Sequence, residues 1–454
     1  MNESAKPLSV WSIALPTIGL LVLGTISGVI QIRLVAGLGP TAIATVAAGQ
    51  RIALIWSSLF LGLSVAVTAT VSRAWGSGQR DLASAYVHFF IKFAAFASLL
   101  VSVIVFFTAD FLSHYFNFHG LDAELARDYF RWLALLPVAQ LVLSILSTAC
   151  RATGDAKTPL YIGLFGNIVG LITSYCLTYG LLSAPALGVI GACLGWGLGF
   201  CLAVVSFLFL WLTGRLSLKY ETDVSAAVID RRNVLKIAMP ATIEPFVVHS
   251  SFLAFMWAVA RYGTEDFAAY GVGINIMIVP QVIGYGFAIA TATIVGQNIG
   301  AGRAGSIVKD TYRSLWPALS VMMSIGMIFI LCPRFIANLM VEDAHLARSL
   351  APFIVIIGIS QAFDAFDQVL SGAMRGSGNT VFPLKVNIIA ALLVRLPLAI
   401  TVTHFALPIV WLYSILIVEL GVKSLLLWRR FLGDTWLNAS KPPSLSSPLG
   451  GKTA

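Results

Sequence analysis

The chain has 454 residues, of which 58% are apolar and only 11% charged, where an ordinary soluble domain carries roughly 25% charged residues. This excludes a soluble globular enzyme, and a net charge of +9 that would suggest nucleic acid in a soluble protein needs another explanation here. Apolar runs of about 20 residues each read as membrane-crossing helices, and the alternating polarity of a transmembrane barrel is absent.

Residues 1–8 are polar and lack the apolar core and cleavage site of a signal peptide, so the first helix is expected to be retained. Twelve apolar runs follow. The first, 9–36, carries Gln31 and Arg33, and the second, 41–72, carries Arg51. No carboxylate lies deep inside the first six runs. The two arginines read as buried bases that either line a wet cleft and meet an anionic or zwitterionic group, or bond to helix-end carbonyls. The second run closes on AWGSGQ at 74–79, where glycine permits a tight turn and close backbone approach. Runs three and four, 86–109 and 127–150, lead to RATGDAKTP at 151–159. The fifth, 158–181, holds Asn167, read as an interhelical hydrogen-bonding residue. The sixth, 186–214, is followed by a charged and polar linker, 215–233.

The seventh run, 234–260, places Glu244 between Pro240 and Pro245, where a proline interrupts the backbone ladder and frees carbonyls able to bind a cation. Phe246 and Trp257 lie in the same run as candidate substrate contacts. The eighth, 267–297, contains Asn275, Gln281 after an expected break at Pro280, and Tyr285, and closes on NIGAGR at 298–303. The ninth is 310–332. The tenth, 348–373, holds Asp364 and Asp367, three apart and so on one helix face, before RGSGNTVFP at 375–383. A charge near the bilayer centre costs about 2.5 to 17 kcal/mol, so these acids are functional candidates. The eleventh, 380–402, contains Arg395, which is expected to reach an acid of its own lobe. In the twelfth, 408–430, Glu419 and Lys423 are four apart, in the order that favours an internal pair. The tail, 433–454, is rich in Pro, Ser and Gly and is expected to be disordered. The five cysteines read as small buried hydrophobes.

A constant offset of 224 aligns Pro16 with Pro240, Gly39 with Gly263, Gly76 with Gly300, Arg151 with Arg375 and Pro159 with Pro383. Six helices per half make the repeat parallel, with lobes at 9–214 and 234–432 around a central cleft, a plan that suits alternating access. About 20 of the 29 Lys and Arg residues gather in the termini and even-numbered loops. The positive-inside rule then makes both termini cytoplasmic, in a multi-pass protein of the cytoplasmic (inner) membrane. Glu244 and Asp364 each lie about ten residues, roughly 15 Å, from that side, and are expected to converge with Asp367. Close carboxylates in low dielectric cannot all stay ionised. One of them holds a proton, or a Na⁺ compensates at Asp364 and Glu244, unless the cluster is purely structural.

Early prolines in helices 1 and 7, small-residue ends of helices 2 and 8, and R-x-[ST]-G-x-x-x-x-P after helices 4 and 10 resemble the multidrug and toxic compound extrusion family, from about Val10 to Phe431. The resemblance implies an all-α, V-shaped antiporter that expels amphipathic, often cationic compounds in exchange for H⁺ or Na⁺, without another cofactor. The family aspartate eleven residues before the helix-10 RG falls on Asp364, whereas the helix-1 aspartate falls on Ile32 and is missing, so Asp364 is expected to be the principal coupling carboxylate, with Glu244 and Asp367 as partners. Glu244 lies a turn before the helix-7 acid of the Na⁺-linked branch. The cleft candidates are therefore Gln31, Arg33, Arg51, Phe246, Trp257, Asn275, Gln281, Tyr285 and Arg395. The expected partners are small-molecule drugs or metabolites and the lipid bilayer, with no nucleic acid, in a monomer that is not an enzyme. One alternative is a flippase for a lipid-linked envelope precursor, with Arg33 and Arg51 on a diphosphate. Another, a prenyl-transferring enzyme using DAFD, lacks a second acidic cluster, since residues 140–143 read QLVL.

Overall fold

The computed structural model describes residues 8–181, 185–218, 229–433 and 436. Its helices in chain order are α1 (Val10–Val35), α2 (Pro40–Gly76), α3 (Arg80–Tyr115), α4 (Leu121–Leu133), α5 (Leu136–Thr153), α6 (Lys157–Tyr179), α7 (Gly188–Leu212), α8 (Arg231–Ala260), α9 (Thr264–Gly300), α10 (Ala304–Leu331), α11 (Pro333–Met340), α12 (Ala344–Gly376), α13 (Val381–Ile389), α14 (Leu396–His404) and α15 (Ile409–Leu432). They supply twelve spans long and apolar enough to cross a membrane. The fourth span is α4 plus α5, interrupted just before Pro137. The eleventh is α13 and α14 joined by a π-helical turn over Ala390–Arg395. Pro397 accounts for that turn, because it has no N–H to offer the carbonyl one turn back. The short helix α11 was not among the expected elements.

The N-terminal segment, most of the linker and nearly all of the tail lie outside the described residues. Within the stretch expected to be disordered, Gly433 and Trp436 are described, and Trp436 departs from that expectation. It is buried, its ring stacks on Phe431 at 5.3 Å, and its Nε1 donates to the Phe431 carbonyl at 3.0 Å. Two further expectations need correction. α9 runs unbroken through Pro280, and Cys201 and Cys332 are exposed rather than buried.

The repeat is structural as well as sequential. α9 begins and ends 224 positions after α2, and glycines in the left-handed region recur at that offset: Gly39 and Gly263 at φ 105° and 114°, Gly78 and Gly302 at 78° and 68°, Gly154 and Gly378 at 100° and 81°. Only glycine adopts such angles without strain, so the same turns close the same helices in both lobes.

Each lobe has its own apolar core, one built mainly from α2 to α7 and one from the far halves of α8, α9, α12 and α15. The lobes join at the face where α1 begins. There Val10, Ile13 and Ala14 pack on Phe287, Ala290 and Ile294 of α9. α2 and α9 cross at their ends so closely that a Cβ on Gly76 would strike the Gln297 carbonyl, and one on Gly300 the Arg73 carbonyl. Two hydrogen bonds lock this crossing. Arg73 Nη2 donates to the Ser377 carbonyl at 2.9 Å, and Gln297 Nε2 donates to the Ala152 carbonyl at 2.8 Å. The donors stand 224 apart, and both acceptors end a helix of the opposite lobe, where carbonyls lack intrahelical donors.

Each bond of this latch contributes about 1–3 kcal/mol. Removing both in Arg73→Ala/Gln297→Ala is expected to shift the closed-to-open ratio at this face by roughly 30-fold or more. Spin labels at Ser77 and Ala301 would then report a longer, broader distance distribution than in the parent, and an unchanged distribution would remove the latch from the account.

Candidate functional site

α8 keeps its helical course through Pro240 and Pro245, although Pro245 deprives the Ala241 carbonyl, four residues back, of its donor. Between the prolines Glu244 is buried, 6% exposed. Its Oε1 accepts from Arg375 Nη2 at 2.5 Å and from Asn387 Nδ2 at 2.9 Å. Arg375 stands in the last turn of α12, and helical side chains lean toward the helix N-terminus. Its guanidinium therefore reaches back into the span instead of out into a loop. The loop charge that the positive-inside count assigned to Arg375 is an intramembrane ion-pair partner, and the expected convergence of Glu244 on Asp364 is replaced by this pair.

A second ionic group forms around the π turn, at whose end Arg395 is buried. Its Nε donates to Glu419 Oε2 at 2.5 Å, its Nη1 to Ser251 Oγ at 3.3 Å, and its guanidinium lies 4.1 Å from the Phe252 ring centre. Glu419 Oε1 also takes Lys423 Nζ at 3.3 Å. The expected i, i+4 pair is thus present, extended by Arg395 into a triad.

Asp364 and Asp367 lie against this triad. Ser424 Oγ donates to the Phe363 carbonyl at 2.7 Å, which holds α15 on α12 and brings Lys423 within electrostatic reach of both aspartates. Asp367 also feels Arg375, Glu244 and Glu419. Asp364 accepts from Gln368 Nε2 at 3.3 Å, and Asp367 from Ser371 Oγ at 3.4 Å. A cavity of about 450 Å³ is lined by Glu244, Asp367, Gln368, Arg375, Asn387 and Lys423, with Gln281, Tyr285 and His249 on its walls. Asp367, rather than Asp364, shares that cavity with Glu244. Among the described residues no group of three or more His, Cys, Asp and Glu side chains has metal-binding geometry.

The charges in this lobe do not balance. Arg375 answers Glu244, Arg395 answers Glu419, and Lys423 is shared between Glu419 and the two aspartates. Four carboxylates meet three bases, and one acid is left over. Both aspartates are half-buried, and partial burial favours meeting that surplus with a proton or another cation.

The first lobe has a different chemistry. A cavity of about 510 Å³ is lined by Gln31, Gln50, Arg51, Gln140 and, from the other lobe, Asn275. Gln140 occupies the repeat position of Asp364 and accepts from Trp56 Nε1 at 2.9 Å. Arg51 and Arg33 are both exposed, not buried as expected, and only Arg51 reaches the cavity. Phe246 and Trp257 are 38% and 57% exposed, Trp257 carries Arg261 on its face at 4.3 Å, and neither lines these two cavities. Arg375, Asn387, Gln368 and Ser371 were not named from the sequence as site residues. A lone polar Asn387 at the repeat position of Gly163 was a usable signal. Arg375 was hidden by its place beside a loop motif.

A family model described as MatE matches residues 16–176 and 240–401, so each half matches from its early proline. "Probable multidrug resistance protein NorM" of Thermotoga maritima is 23% identical, covering 93% of this chain and 92% of its own. The protein of the same name from Burkholderia pseudomallei is 26% identical over 77% and 76%. Among solved structures, one titled "Crystal structure of MATE in the bent conformation" superposes with TM-score 0.86 at 17% identity, covering 95% and 96%. A Pyrococcus furiosus transporter of the MOP superfamily, whose title reports a reverse polarity of its binding pocket, superposes with TM-score 0.83 at 18% identity over 93% and 95%.

Breaking a buried ion pair from one side costs about 3–5 kcal/mol. Glu244→Gln and Arg375→Met should each lower the unfolding temperature of the detergent-solubilised protein, and the double variant should lose less than the two single losses combined. Strict additivity in that thermal cycle would show that the two side chains are not coupled.

Proposed function

The chain belongs to the MatE family, and on that premise we propose that it is a cation-coupled efflux antiporter of the cytoplasmic membrane, exchanging H⁺ or Na⁺ for amphipathic, cationic organic compounds. The surplus carboxylate of the second lobe carries this reading. Asp367, on the cavity wall beside Lys423 and the Glu244–Arg375 pair, is the group for the coupling ion, with Asp364 one turn away as its partner. A coupling cation and a cationic substrate then compete for one negative charge. A site that holds either, but not both, couples their movements, because each ligand shifts the same equilibrium and displaces the other.

With both chain ends in the cytoplasm, the latched crossing of α2 and α9 is the closed cytoplasmic gate and the cleft faces outward. A proton or Na⁺ entering from outside neutralises the surplus and releases the organic cation. The two lobes then rock about the crossing to present the loaded site inside. The names of the NorM relatives support export of drugs, and the aromatic and aliphatic walls of both cavities suit flat hydrophobic cations.

A second reading, a flippase for a lipid-linked envelope precursor, is favoured by one observation: Arg51 lines a first-lobe cavity that contains no carboxylate. Arg33 does not join it there, so the two-arginine diphosphate clamp is reduced to one residue. Loss of envelope glycan on deletion, without drug hypersensitivity, would select that reading.

The test is ethidium efflux from proteoliposomes with pH and Na⁺ gradients imposed separately. Asp367→Asn is expected to reduce gradient-driven efflux by at least about 10-fold, and Asp364→Asn by less, with both proteins retaining their fold. Gradient-driven efflux that survives intact in Asp367→Asn would overturn this assignment.

A further inference from the structure

Inward of the second-lobe cavity, and sharing Leu21, Leu61, Tyr285 and Arg375 with it, lies a pocket of about 190 Å³ where the two lobes meet. Arg151 and Arg375, repeat partners at the offset of 224, both line it. Their circumstances differ. Arg375 is neutralised by Glu244, which Asn387 also holds. At the corresponding first-lobe positions the chain has Leu20 and Gly163, and a Cβ built on Gly163 would strike the Leu20 side chain. The geometry of the acid and amide pair is thus preserved with both functional groups removed.

Arg151 is left as a base without an acid. Its Nη2 donates to Thr148 Oγ1 at 2.8 Å, its Nε is buried with no partner, and no carboxylate pairs with it among the described residues. Hydroxyls complete the pocket: Ser64 and Ser144, 3.1 Å apart, Thr148, and the Tyr285 phenol within electrostatic reach of both guanidiniums. No acidic side chain lines it. A half-buried guanidinium with a buried, unpartnered Nε and a ring of hydroxyls is a receptor for one negative charge.

We propose that this pocket binds a single small anionic group against Arg151, either a free halide or the carboxylate of the transported molecule. In the second case it rests on the transport reading above and makes zwitterions, cation on Asp367 and carboxylate on Arg151, the preferred cargo.

The experiment uses the purified full-length protein. In one arm sodium chloride replaces sodium morpholinoethanesulfonate at constant sodium, and the melting temperature is followed. A saturable rise of roughly 1–3 °C that persists in Arg151→Lys and vanishes in Arg151→Met identifies a free anion. In the second arm, binding of a rhodamine with a free carboxylate is compared with its methyl ester. A preference of about 10-fold or more for the carboxylate, lost in Arg151→Met and weakened in Arg151→Lys, identifies the cargo. If Arg151→Met does not fold, the parent and Arg151→Lys carry both arms. Neither dependence in the parent, or either one unchanged in Arg151→Met, overturns the proposal. Ethidium has no carboxylate, so failure of its efflux sinks the transport reading alone and leaves the chloride arm standing.

Discussion

A charge inside a bilayer-spanning bundle must be answered by another charge within a few ångströms, because the interior cannot solvate it. Most of what distinguishes this protein follows from how that requirement is met, and where it is not. In the second lobe Glu244, Glu419, Arg375, Arg395 and Lys423 answer one another through bonds of 2.5 to 3.3 Å. The aspartates of the DAFD segment share Lys423 with Glu419, and Asp367 also feels the already paired Arg375. At the corresponding positions of the first lobe these acids are gone, while Arg151 remains. One lobe therefore carries a surplus negative charge and the other an unanswered positive one.

The scaffold that holds these groups is indifferent to them. The same glycine turns, the same helix bounds for α2 and α9, and the same crossing with its paired latch recur in both halves. Close backbone approach at Gly76 and Gly300 makes the joint narrow, and the two lobes keep separate apolar cores. Helices that enclose binding groups and helix ends that form the joint are thus different parts of the same elements. The duplicated backbone could be kept while the side chains diverged.

The repeat, the twelve spans and the coupling of Glu419 to Lys423 were legible because each depends on spacing along one chain. Residues four apart on a helix meet wherever the helix goes. The Glu244–Arg375 bond joins residues 131 apart and depends on how α8 lies on α12. From sequence position alone Arg375 read as a loop cation, since a side chain leaning back into the span leaves no mark on composition. The same blindness made Arg33 and Arg51 look buried: hydropathy reports that a helix crosses the membrane, not which of its faces is covered.

Sequence by itself determined that this is an all-α membrane protein of two parallel six-helix repeats, that the acids deep inside its apolar runs are in the second, and that Asp364 and Asp367 stand on one helix face. Those are consequences of apolar length, repeat offset and helical period. Only the tertiary structure decided that Asp367 rather than Asp364 shares a cavity with Glu244, that Arg375 is already spoken for, and that Arg151 is not. Electrostatic balance is settled by distances between helices, and those distances come from packing that no single stretch of chain contains.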